Sequence, residues 1–303
     1  MRETFADLCT AVYVLVDDLY QIVAPPVDHR PGPRAVFSES EVITLTLVAE
    51  LVGLDEEERF LAYVRRHHLA LFPQLPERTR FNRRRRRLTE VTNRIRRLLQ
   101  AATWGLLTPE ERALGVIDSL PVPVVGFHHA RDRHRWLGEA TYGVVPSKRQ
   151  TIYGFKLHLL ISRCGLLLDF ALAPAHHRDD AFIEQLLADN ANWTVLGDMG
   201  YIGAAVAALL AWRNNLSLLT PRRCNQKEQL PAALTAAINS FRQIIETVNS
   251  QLVDQFHLQR NRAKCMGGLC ARVMAKLTAH TIGLYLNLLL GRPLLALKDF
   301  DLI

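Results

Sequence analysis

Three acids stand out by where they fall. Asp118 interrupts the apolar run Val116-Ile117-Asp118-Ser119-Leu120-Pro121-Val122-Pro123-Val124-Val125. An ionised carboxylate in such a strand is costly unless it reaches a sheet end, a cation or a metal. Asp198 follows the short apolar segment Trp193–Leu196 and Gly197, at the carboxyl end of a strand, where α/β folds usually place their sites. Glu246 lies on a long amphipathic helix. The apolar stripe of that helix is Ile238, Phe241, Ile245, Val248 and Leu252, and its adjoining strip is Asn239, Arg242, Glu246, Asn249 and Val253. Each acid has an ordinary alternative: a turn-bonding Asp, a helix N-cap, and a solvated helix Glu paired with Arg242 at i, i+4. Together, three hard oxygen donors suit Mg²⁺ or Mn²⁺. Two such ions could activate a water or a 3′-hydroxyl for phosphodiester chemistry. The chain has no Walker-type glycine loop, so use of an NTP is not expected.

The elements that must position these acids follow from the pattern after Gly115. A strand over 116–125 is followed by a hairpin of 153–162 and 166–173 turning at Arg163-Cys164-Gly165. Then come a helix over 180–189, a strand at 193–196, a helix over 204–212, a strand at 216–219 and a helix over 233–256. This order predicts an α/β fold of the ribonuclease H-like kind, a mixed sheet flanked by helices, in which the three acids converge. The connection between the first two strands is polar and reads as a loop. Its Lys148 and Arg149, with Arg131, Arg133 and Arg135, are candidates for DNA contact. Lys156 points toward the site if Phe155 and Leu157 face the other way, either to meet phosphate or to meet solvent.

Residues 1–110 read as all-helical, with helices over 3–23, 39–52, 55–68 and 77–104. Ser38 with Glu41 forms a capping box, and Asp55 with Glu58 repeats the signal. The net charge is +7 over 303 residues, and the pI is about 9.4. Between Arg59 and Arg97 there are thirteen arginines against two acids, so this stretch alone exceeds the total, and the rest of the chain is slightly acidic. Arg83, Arg84, Arg85, Arg86 and Arg87 are consecutive. Short helices followed by a basic helix resemble a helix-turn-helix DNA-binding unit. The predicted division is therefore a helical DNA-binding region, 1–110, and a catalytic domain with a C-terminal helix, 111–303.

Other classes fit poorly. Hydrophobic residues make up 49% of the chain, ample for a core and against general disorder. Five cysteines without a CxxC pair indicate neither a disulfide framework nor a zinc ribbon, and fit a reducing, cytoplasmic setting. His128, His129, His134, His176 and His177 match no common zinc spacing. Trp136, Tyr142 and Tyr201 are candidates for base stacking or for core packing. The stretch 277–290 is too short and too interrupted to span a bilayer, and no membrane partner is expected. No secretory leader is expected from the acid-bearing N-terminal segment.

The segments VIDSLPVPV, YGFKLHLLIS, LGDMGY and FRQIIETVNSQL, in that order, resemble a DDE transposase of bacterial insertion sequences, of the insertion sequence 982 type. SESEVITLTLVAEL, LPERTRFNRRRRRL and ARVMAKLTAH extend the resemblance over nearly the whole chain. It implies that Asp118, Asp198 and Glu246 form a catalytic triad holding two divalent ions, Mg²⁺ or Mn²⁺. It also implies that the substrates are terminal inverted repeats and target DNA, acted on by a homodimer assembled on double-stranded DNA. A related group carries Tyr-x2-Arg-x3-Glu-x6-Lys. Here Arg242 and Glu246 match, Asn239 and Val253 do not, and Arg260, Arg262 or Lys264 are candidates to supply the missing base. The alternatives are a non-catalytic DNA-binding descendant of a transposase and a structure-selective nuclease of the same fold.

Overall fold

The computed structural model describes residues 4–24, 36–125, 134–136, 138–145, 150–188, 190–201, 204–220 and 232–300. Lys148 and Arg149 lie outside them, as do Arg131 and Arg133. The chain forms two compact units, one of residues 1–103 with 252–303 and one of residues 104–251.

The first unit is helical. Helix α1 (Phe5–Val23) opens on a Thr4–Asp7 capping box and buries Phe5, Leu8, Cys9, Val12 and Val16, one stripe at helical spacing. Helix α2 (Glu39–Leu51) opens on the expected Ser38–Glu41 box and buries Ser40 and every residue from Val42 to Leu51. Helix α3 (Glu57–His67) has no side-chain cap. The start signal read at Asp55 is not used, because that carboxylate instead accepts from Lys276 Nζ at 2.9 Å. The single basic helix expected over 77–104 is two helices, α4 (Arg78–Arg87) and α5 (Thr89–Leu106), divided at Leu88.

The C-terminal helix, which we number α10 (Met266–Leu289), packs against α2 in this unit, although the sequence places it with the catalytic domain. It is apolar on nearly every face, so it must be enclosed rather than laid on a surface. At Gly283 a Cβ would come within 3.3 Å of Leu51 Cδ2 and 2.7 Å of Leu297 Cδ2, so glycine permits the close approach. Its one buried cation, Lys276, is fully enclosed between Glu50 (2.7 Å) and Asp55 (2.9 Å). Among the described residues, no helix is long and apolar enough to cross a membrane.

The second unit is built on a mixed sheet flanked by helices, consistent with a ribonuclease H-like domain. After a short helix α6 (Pro109–Arg112) come strands β1 (Leu114–Val125), β2 (Thr141–Val145), β3 (Gln150–Ser162) and β4 (Leu167–Pro174). Helix α7 (Ile183–Leu187), strand β5 (Thr194–Gly197), helix α8 (Ala204–Asn214), strand β6 (Ser217–Leu219) and helix α9 (Ala232–Ser250) follow. The sheet order is β2-β3-β1-β5-β6, with β4 also paired to β3. Strand β3 is antiparallel to β1, β2 and β4, whereas β1, β5 and β6 are mutually parallel. Strand β2 replaces part of the loop expected there, its Gly143 lying too close to Ala175 for any side chain. Pro121 and Pro123 fall where β1 has run past the end of β5 and has one neighbouring strand only, so missing N–H donors are tolerated. Ile117, Leu160, Val195, Ile183, Leu187 and Leu210 form the core on one face.

Candidate active site

The strand register itself brings two of the acids together. Parallel pairing of β1 with β5 ends at Ile117 opposite Gly197, so the next residue on each chain segment is an aspartate. Asp118 and Asp198 therefore stand side by side at the carboxyl end of β5. Asp118 is half-buried, and burial is the main reason its carboxyl is pushed up to about 6. A 2.8 Å hydrogen bond from Ser119 N opposes that rise, the negative charge of Asp198 adds to it, Asn249 opposes it, and Asp179 adds again. Asp198 Oδ1 accepts from Gly200 N at 2.7 Å, which anchors the turn after β5.

Asp179 is a third acid at this place. It opens a single 3₁₀ turn, Asp179–Phe182, after β4. Its Oδ1 accepts from Ser119 Oγ at 3.2 Å and from Lys156 Nζ at 3.0 Å. A Cβ built on Gly200 would lie 3.0 Å from both Asp179 Oδ2 and Asp198 Oδ1, so the two carboxylates flank that glycine. Lys156 also donates to His177 O at 3.3 Å. It does point to the site, since Phe155 and Leu157 are buried away from it, and its charge is matched by Asp179. Beneath the cluster His158 and Tyr201 are buried, with His158 Nδ1 3.3 Å from Tyr201 Oη. Burial lowers His158 to about 4, so it is neutral, and holds the Tyr201 phenol well above its ordinary value. Tyr201 and Trp136 are thus core residues, Trp136 packing edge-on against Phe155.

Helix α9 meets β1 through Asn249, whose Nδ2 donates to Asp118 Oδ2 at 2.7 Å. Ile245 and Val248 are buried beneath it. Glu246 lies one turn upstream, exposed, on the strip that carries Asn249, with half-buried Arg242 one turn further back. Among the described residues, no three His, Cys, Asp or Glu side chains are arranged to hold a metal ion in common. The chemistry of the donor set nevertheless fits a hard cation. Asp118 and Asp198 repel each other, and Asn249 Oδ1 is buried beside Asp118 with no partner among the described residues.

The remaining basic candidates lie in the first unit. Arg84 pairs with Glu39 at 3.1 Å and Arg85 is buried against Glu57 at 3.5 Å, whereas Arg83, Arg86 and Arg87 are exposed. Arg262 pairs with Glu56 at 2.8 Å, and Arg260 and Lys264 are exposed. The segment His176-His177-Arg178-Asp179-Asp180 reads in the sequence as either a helix cap or a border of the active site, and Asp179 lies at the cluster, whereas Asn249 escapes the sequence reading. Its signal is a place on the strip of Glu246.

A protein-family model described as a transposase DDE domain matches residues 109–266, slightly more than half of the chain. No curated protein and no solved structure matches it.

Proposed function

The chain belongs to the family of transposase DDE domains, and on that premise we propose that it is a DNA transposase of the insertion sequence 982 type. The first unit, residues 1–103 with 252–303, would bind the terminal inverted repeats of its element, and the second, residues 104–251, would cut the 3′ ends and join them to target DNA. Two ends must be held at once, which calls for a homodimer on double-stranded DNA. The observation that carries this reading is the register that sets Asp118 beside Asp198, with α9 tied to Asp118 through Asn249.

Asp118, Asp198 and Glu246 would hold the divalent ions, Mg²⁺ or Mn²⁺. Two bound ions would supply an activated oxygen nucleophile and charge stabilisation at the leaving oxygen. The chain's own residues prepare that place. Asn249 and Ser119 N fix the two oxygens of Asp118. Gly200 N fixes Asp198. Lys156 neutralises Asp179, so the uncompensated negative charge is left on Asp118 and Asp198. Exposed Glu246 lies on the strip of α9 that carries Asn249. Arg242, on the same strip, would meet the phosphate being cut. Of the other basic residues, Lys148, Arg149, Arg260 and Lys264 would meet DNA, whereas Lys156 and Arg262, expected to do so from the sequence, are engaged by Asp179 and Glu56.

The test is a cleavage assay with the full chain on a labelled duplex carrying the element's ends, with Mg²⁺ or Mn²⁺ and with chelator. Metal-dependent 3′-end nicks and joined products are expected. Binding without any nicking would overturn the enzymatic reading. Cutting of branched DNA without joining would point to a nuclease.

A further inference from the structure

The five consecutive arginines of α4 do not share one role. Arg84 is engaged by Glu39 and lies over the Phe37 ring, its guanidinium carbon 5.9 Å from the centroid. Arg85 is buried against Glu57. Arg83, Arg86 and Arg87 instead line an open groove of about 490 Å³ together with Arg78, Asn82 and Gly267. No acid among the described residues lines this groove. Among the described residues, Arg78, Arg83 and Arg87 make no ion pair, and Arg86 donates only to Cys265 Sγ, at 3.2 Å.

The far wall of the groove is the first turn of α10. That 24-residue helix starts at Cys265 with no side-chain cap and no acid in its first turn. A helix N-terminus carries about half a positive charge and ordinarily attracts acids. Here it faces an arginine. A Cβ on Gly267 would lie 3.1 Å from Arg86 Nη2, so the glycine leaves room for the guanidinium. Positive helix end and unpaired guanidinium groups thus converge on one open groove that lacks a counter-charge. The stripe from Arg78 to Arg87 spans about 14 Å of helix. One DNA strand offers about four phosphates over that length.

We propose that this groove is a seat for the sugar–phosphate backbone of duplex DNA, gripped by Arg78, Arg83, Arg86 and Arg87 from α4 and by the amino end of α10. The proposal rests on the transposase reading and adds which residues hold the backbone. It assigns Arg84 and Arg85 to the fold and makes the groove depend on both ends of the chain. The contacts are to phosphate, so they serve any DNA sequence alike.

The experiment measures binding of the full-length protein to a fluorescent duplex carrying the element's ends and to a random duplex of equal length, over a range of salt. Replacing Arg83, Arg86 and Arg87 together by Gln should lower the slope of log affinity against log salt by about 2–3, equally on both duplexes. Arg84→Gln should leave the slope unchanged and lower the melting temperature. Gly267→Glu sets a carboxylate against Arg86 at a helix position that favours acids. It should stay folded and lose salt-dependent affinity, so a triple variant that failed to fold would not rescue the idea. An unchanged slope in a folded triple variant, full binding by Gly267→Glu, or an equal slope loss in Arg84→Gln would overturn the groove and leave the transposase reading standing. Failure of the wild-type protein to bind either duplex would overturn both.

Discussion

Replacing Lys276 by Met tests how the C-terminal helix is held in the first unit. The ammonium is fully enclosed, 2.7 Å from Glu50 and 2.9 Å from Asp55, and Glu50 is itself 2% exposed. Burial raises the Glu50 carboxyl, and the nearby Lys276 charge is the largest influence opposing that rise. Methionine fills a similar volume, so the loss is electrostatic. Removing one partner of a buried pair typically costs about 3–5 kcal/mol, because the other charge is left without compensation. At about 2 °C per kcal/mol for a chain of this length, the melting temperature should fall by about 6–10 °C. Glu50→Gln added to the Met variant should recover most of the loss, since the more deeply buried of the two stranded charges is then gone and Asp55 keeps His257 at 3.5 Å. Urea unfolding monitored by circular dichroism at neutral pH measures both. A loss under about 1 kcal/mol in the single variant, or no recovery in the double, would refute the reasoning.

Asp118→Asn should stabilise the protein while disabling it. The folded carboxyl sits near 6 against an ordinary 3.8, so the unfolded chain ionises first: the fold is weakened progressively between pH 3.8 and 6, by a constant amount above 6, and not at all below 3.8. The gain should be up to about 3 kcal/mol above pH 6 and vanish near pH 4, read from urea midpoints. His158 and His280 work the other way, burial bringing each from 6.5 to about 4. The unfolded chain takes up their protons first, so stability is full above 6.5 and falls by about 1.4 kcal/mol per pH unit for each as pH drops toward 4. His280→Leu should lower the slope of stability against pH between about 4 and 6 by about 1.4 kcal/mol per pH unit, and an unchanged slope would show the imidazole to be charged in the fold. Asn249→Ala removes the hydrogen bond to Asp118, one of the influences holding its carboxyl down, and should move the acid limb of the cleavage pH profile upward. An unmoved limb would separate Asn249 from Asp118 in function.

Much of the second unit could be read in advance because its strands are apolar, short and punctuated by Gly, Asp and Asn. The alternation of YGFKLHLLIS places β3 to within a few residues and leaves Lys156 open between the site and solvent, and the structure sets it 3.0 Å from Asp179. Strand β2 was missed because TYGVV lies amid arginines and polar residues, and only its pairing with β3 makes it a strand. The break at Leu88 carries no Gly or Pro, and the only local sign of it is the run of weak helix formers Thr89, Val91, Thr92 and Asn93 after the arginines. The C-terminal helix was given to the catalytic domain because apolarity tells that a helix is buried, not against what. Its partner choice rests on Lys276 meeting Glu50 and Asp55, more than two hundred residues away. Asp55 likewise looked like a helix start, and tertiary pairing overrode the local signal. In the candidate site the two aspartates were legible from strand ends. Asp179 stays open between a helix cap and a border of the site, because its place comes from a turn that folds back over Ser119 and Lys156.

The central claim is that acids from two adjacent strand ends and from α9 act on one phosphodiester. Its most direct measurement is metal-dependent nicking of the element-end duplex by Asp118→Asn, Asp198→Asn and Glu246→Gln, each alongside a binding measurement on the same DNA. Each variant should bind as the wild type does and cut at least a thousandfold more slowly, the order of loss reported when one member of a cooperating catalytic set is removed. Undiminished nicking by any one of the three would remove that residue from the site and contradict the claim.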